Sequence, residues 1–170
     1  FPATHNSMSA PGEGWFSAQQ DAGIAAQLDE GVRGLMIDTH YGDELANGRV
    51  RTDLRAAPLI QQARDDGLPQ RAIDAGLRLR DRLGFRGPGE RGTWLCHTFC
   101  ELGATPLPSI LRDIRDFLVA NPGAVLVVIN QDYVTPADFV SAVEDADLAR
   151  FAYSGPVAAG SWPTLGEMVR

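Results

Sequence analysis

The chain has 170 residues, 44% hydrophobic and 22% charged, a composition that suits one globular α/β-sized domain with a single core. Its 22 acidic against 15 basic residues give a net charge of −7, which argues against a polyanion-binding surface and against a polybasic membrane footprint, so nucleic acid is not an expected partner. Every basic residue is arginine, leaving no lysine for a Schiff base or phosphate loop, and no apolar run approaches the roughly 20 residues of a membrane span.

Phe1 stands where an initiator methionine would, and the sequence reads as processed or excerpted. Phe1 to Thr4 leave at most a few residues of strand before the loop that holds His5 and Asn6. A helix is expected from about Ser17 to Glu30, with Ile24 and Leu28 as its i, i+4 stripe and Gly31 as its stop. Val32 to Thr39 reads as a strand with Leu35, Ile37 and Thr39 on one face and Met36, Asp38 and His40 on the other. Residues 42–92 are the least regular stretch, with a turn at Asn47-Gly48 and short helices expected over Ala57 to Asp65 and Arg71 to Leu83. Thr93 to Phe99 is expected to be another strand, followed by a helix from Ser109 to Ala120. Val125 to Asn130, apolar and largely β-branched, reads as a buried strand of a parallel sheet. Thr135-Pro136-Ala137-Asp138 has the cap, the proline and the acid of a helix start, and a last helix begins at Thr164.

This alternation is that of parallel α/β folds, whose strands present their C-terminal ends at one edge. All three histidines, His5, His40 and His97, lie at or near expected strand ends, and Asp38, Asn130, Gln131 and Asp132 would join them there. A pair of imidazoles across a cleft suits phosphodiester cleavage, one taking a proton from the attacking hydroxyl and the other giving one to the leaving oxygen. His5 and His97 are the candidates. Asp38, mid-strand and in need of a partner, could orient His5, bind a divalent cation with Asn6 and Gln131, or pair with Arg33; an all-oxygen donor set favours calcium or magnesium. Cys96 and Cys100 bracket His97. A turn could close a disulfide between them and imply an oxidising compartment, or the two could be unrelated.

These residues carry a resemblance to the X-region of the phosphatidylinositol-specific phospholipase C superfamily. The segments are Ala3 to Ser7, Gln27 to Asp38, Leu95 to Leu102, and Asn121-Pro122 with the strand that follows. The resemblance implies a TIM-type barrel, with His5 as the base that activates an inositol hydroxyl and His97 as the acid that protonates the diacylglycerol oxygen. It implies calcium at Asn6 and Asp38, a phospholipid substrate, and hence transient contact with a membrane surface. Arg33, His40, Gln131 and Tyr133 are the candidate substrate-binding residues, and secretion or another extracytoplasmic site is the expected location.

The chain departs from the family pattern where Met36 replaces a usual carboxylate and Gln131 a usual glutamate, which predicts weaker calcium affinity. Only about four strands are expected, against the eight of a full barrel. Two other readings therefore stand beside the first. One is metal-assisted hydrolysis of a glycerophosphodiester or sphingolipid with Asp38 and His40 as ligands. The other is a degenerate barrel that binds lipid headgroups.

Overall fold

The computed structural model describes residues 2–12, 14–54, 59–155 and 162–169. Its centre is one long strand, β2 (Gly34–Leu45), around which a curled half-barrel sheet is built. The first half of β2 pairs in parallel with β1 (Ala3–Thr4) and with β6 (Val127–Asp132), the latter in the register Asp38 to Gln131. The second half pairs antiparallel with β3 (Val50–Thr52) and β4 (Gly89–Leu95), and β5 (Thr105–Pro106) extends the sheet beyond β4.

Most pairings are thus antiparallel, which corrects the expected all-parallel array of a TIM barrel. The Thr93–Phe99 segment is where expectation and structure part. Chain leaving β2 at Leu45 turns back as β3, then passes through α2 (Leu59–Asp65) and α3 (Gln70–Arg82) and rejoins the sheet at Gly89, directly opposite Leu45. A parallel strand needs a crossover that returns to the start of its neighbour. Here α2 and α3 stay at the far end of β2, and β4 can only run back along it. Gly42 makes room for this arrangement: a Cβ there would stand 2.7 Å from Val50 and 3.0 Å from Trp94, whose indole N–H donates to the Gly42 carbonyl.

One face of the sheet meets α1 (Ile24–Asp29), α4 (Leu107–Ala120) and α5 (Pro136–Asp145). Leu35, Ile37 and Leu95 interlock there with Ile24, Leu28, Leu107, Leu111 and Ile114. Each such side chain, removed wholly from water, contributes roughly 1.5–3 kcal/mol. A smaller cluster of Val50, Trp94, Cys96 and Cys100 lies around the β2–β4 ribbon.

The helix expected over 17–30 is regular only over α1; residues 17–23 form an irregular arm. The Ser109 helix starts two residues earlier, at Leu107, and Ser109 Oγ donates back to the Pro106 carbonyl. Thr135 caps α5 as its sequence predicts, accepting from the Asp138 amide, and a capping box of Thr164 and Glu167 opens α6 (Leu165–Met168). Ala57 and Pro58, at the start of the expected 57–65 helix, lie outside the described residues. The Val125–Asn130 strand forms as β6 but is not buried: Val127, Val128 and Ile129 are 41%, 39% and 53% exposed, because no strand pairs with its outer edge among the described residues.

Candidate functional site

The face of β2 opposite the helices carries Met36, Asp38 and His40, spaced by the period-2 pleat. Register brings Gln131 alongside Asp38, and Tyr133 follows on the same face, its ring stacked on His40 with centroids 4.3 Å apart. His5 lies on the loop after β1. Ser7 fastens that loop to β2, its amide donating to the Met36 carbonyl and its Oγ accepting from the Met36 amide, and Asn6 turns it through a positive φ of 50°, which asparagine tolerates. Gln27 of α1, 4% exposed, ties the same loop down by accepting from Thr4 Oγ1 and donating to the Ser7 and Ala22 carbonyls.

His97 follows β4 on a turn closed by the Cys96–Cys100 disulfide. Thr98 sits at φ 67°, a conformation that costs a β-branched residue, inside that covalent ring. The imidazole is held from the opposite side of the site: Gln19 Nε2 lies 3.1 Å from His97 Nδ1, while Gln19 Oε1 accepts from Asn6 Nδ2 at 2.8 Å. The Gln19 amide donates to Nδ1 of the neutral ring and, turned over together with the Asn6 amide, would accept from Nδ1–H of the imidazolium. It occupies Nδ1 and leaves Nε2 as the nitrogen free to face a substrate. Ser9 in turn fixes the arm, its carbonyl accepting from the amides of Gln19 and Gln20, and Gln20 Nε2 donates to the His5 carbonyl.

Asp38 is the electrostatic centre. Its carboxylate accepts no hydrogen bond from the described residues, and burial raises its pKa, opposed by the positive charge of His97 and of His5. Both imidazoles therefore lie within charge-interaction range of one carboxylate. His40 is 1% exposed with neither ring nitrogen hydrogen-bonded among the described residues. Burial first, then the charge of His97, pushes its pKa down to about 4, so it stands neutral in the wall of the site.

The remaining sequence candidates are placed as follows. Arg33 is at the other end of β2, donating to the Leu28 and Val32 carbonyls and stacked on Phe117, away from Asp38. Gln131 is exposed and donates to the Tyr133 hydroxyl. Asn130 points to the helical face, accepting from Thr39. No group of three or more His, Cys, Asp or Glu side chains suited to a metal ion occurs among the described residues, so a cation would rest on Asp38 with amide oxygens. Gln19 and Gln27 had not been marked from sequence. Gln27 carried a signal, as a polar residue within the Ile24–Leu28 stripe; Gln19, in a segment without periodicity, carried none.

A half-barrel sheet with imidazoles on the loops after β1 and β4 and a carboxylate on β2 agrees with what comparison finds. The PI-PLC X family model, described as PI-PLC X 1, matches residues 71–170, and the chain belongs to that family. The matched stretch holds His97, Gln131 and Tyr133. An "Uncharacterized secreted protein" of Arthroderma benhamiae is 25% identical over 174 aligned residues, covering 98% of this chain and 28% of its own length. A "PI-PLC X domain-containing protein 1" of the same fungus is 29% identical over 119 residues, 66% of this chain and 38% of its own. The chain thus spans between about a quarter and two fifths of these relatives. No solved structure matches.

Proposed function

We propose that the chain carries the catalytic half-barrel of a phosphodiesterase of the phosphatidylinositol-specific phospholipase C kind. The observation that carries this reading is the convergence of His5, near the start of the sequence, and His97, near its middle, on Asp38. His5 takes the proton of a hydroxyl beside the phosphate, the freed oxygen forms a new P–O bond, and the bond to the leaving glycerol oxygen breaks as His97 in its imidazolium form, with Nδ1–H donating to the oxygen of a turned Gln19 amide, passes its Nε2 proton to it. The products are a cyclic phosphodiester and a diacylglycerol. Asp38 holds the developing imidazolium charge, and neutral His40 with Tyr133 forms a dry wall beside it.

Calcium is the cation that this oxygen donor set suits. Asp38, buried without a hydrogen-bond donor, and Asn6 would hold it, and it would supply neutralisation of the phosphate charge; one carboxylate makes the affinity weak. A cysteine pair closed as a disulfide and a relative named as secreted both support an extracytoplasmic location.

Phosphorus NMR of the products from phosphatidylinositol vesicles tests the reading. A cyclic phosphate that disappears in both His5→Ala and His97→Ala is expected. An open monoester as first product would move the assignment to water attack, and turnover unaffected by both substitutions would end it.

A further inference from the structure

A hollow lies away from the histidines, beside the disulfide turn. It is a cavity of about 450 Å³ between α2, α3 and the 3-10 turn Cys100–Leu102, within the range of small-ligand sites. Its lining is almost wholly apolar: Leu54, Ile60, Ile73 and Leu77 line it together with Leu79, Leu83, Phe99 and Leu102, the last four each at least 40% exposed. Large side chains gathered at that exposure around a hollow are the mark of a binding site rather than of an unfilled core.

One polar feature interrupts this surface. Arg80 of α3 lines the cavity with Nε and Nη1 buried and without hydrogen-bond partners. Among the described residues its one ionic contact runs from Nη1 to Glu101 at 3.5 Å, and Glu101 is already engaged by the amide and hydroxyl of Thr52. Buried guanidinium donors left unpaired cost free energy until an acceptor meets them. The site therefore asks for a ligand with a long apolar body and a carbonyl or carboxylate oxygen. The same turn that forms the cavity wall through Phe99, Glu101 and Leu102 carries His97 at its start. The Cys100 amide, donating to Thr52 Oγ1, locks the two together.

We propose that this cavity takes one acyl chain of the phospholipid substrate, with Arg80 donating to its ester carbonyl. The inference rests on the phosphodiesterase reading for the identity of the lipid, and its test is binding without turnover, so a dead catalytic pair and an empty cavity give separate results. Gly76 of α3 lines the space, and a Cβ added there meets nothing within 4 Å. Gly76→Phe therefore fills the cavity without a clash at the backbone, and replacing a mid-helix glycine favours α3. The measurement is titration of the disulfide-intact chain with cis-parinaric acid below its critical micelle concentration, followed by displacement with a monoacyl glycerophospholipid. Thermal unfolding checks that each variant folds.

Saturable one-to-one binding, displaced by the lysophospholipid and weakened at least tenfold in both Gly76→Phe and Arg80→Met, is the expected result. Non-saturable partitioning would overturn the proposal, as would equal affinity in folded Gly76→Phe. Displacement by free fatty acid but not by the lysophospholipid would overturn the assignment to substrate.

Discussion

Replacing His40 with phenylalanine should remove most of the acid sensitivity of folding between about pH 7.5 and about pH 5. In the folded chain His40 is sealed at 1% exposure against Tyr133, with both ring nitrogens unpaired, and its pKa drops from 6.5 to about 4. Between those values the unfolded chain binds a proton that the folded chain does not, so stability rises with pH through this window and falls as acid is added. The full difference of about 2.5 pH units corresponds to roughly 3 kcal/mol, and the part between about pH 7.5 and about pH 5 to roughly 2 kcal/mol. Asp38 works in the opposite sense. Its raised pKa makes the folded chain bind more protons than the unfolded one, so its cost is relieved on acidification, and that contribution is common to both proteins. Urea unfolding followed by tryptophan fluorescence, in chelator so that no cation charge enters, gives the comparison. With a typical slope of 1–3 kcal/mol per molar, the wild-type midpoint should drop by about 1 M more than that of His40→Phe. At neutral pH the variant, which keeps the ring stack and loses two unpaired nitrogens, should be no less stable than wild type. Parallel losses, within about 0.5 kcal/mol across the same window, would refute the picture of a neutral imidazole sealed in the wall.

Gln19→Leu should leave the fold intact but release His97 Nδ1; a hydrogen bond of about 1 kcal/mol implies roughly a fivefold fall in kcat, with nitrogen NMR showing a loss of the Nε2–H tautomer preference at His97. Cys96→Ser with Cys100→Ser opens a five-residue ring and should cost about 2 kcal/mol by loop-closure entropy, read as a lower urea midpoint, with a larger loss of activity than of stability. Leu111→Ala, in the interface between α4 and the sheet at 2% exposure, should cost about 2–5 kcal/mol in the same assay and leave KM unchanged in whatever protein remains folded.

The residues of the site were legible because their types are scarce and their positions follow from pattern. Of the three histidines expected at strand ends, His5 and His97 follow β1 and β4, whereas His40 lies within β2, which runs on to Leu45; the alternation around Asp38 puts it on the face away from Leu35 and Ile37, where the structure has it. Strand direction was not legible. The alternation of Leu95 with Trp94 and Cys96 is the same whether β4 runs with β2 or against it, and only the path of α2 and α3, set by tertiary contacts, decides between them. An apolar run such as Val127–Ile129 likewise states a preference for cover without saying what supplies it. The bridge from Asn6 through Gln19 to His97 depends on two side-chain amides meeting across an irregular arm, a contact no local periodicity encodes.

The reversed strand changes what holds the proposed acid–base pair, His5 and His97. His5 follows a stave of the half-barrel and is located by backbone pairing of Ser7 with β2, as expected of a residue at a parallel strand end. His97 leaves an antiparallel ribbon, and its ring is set by the disulfide turn behind it and by the Gln19 amide in front. The two histidines should therefore respond differently to reduction. Mild reductant releases the turn around His97 while the sheet and the His5 loop keep their hydrogen bonds, so kcat should fall before KM or far-UV circular dichroism changes. Simultaneous loss of all three would mean that the ribbon, rather than the turn, is what the disulfide supports.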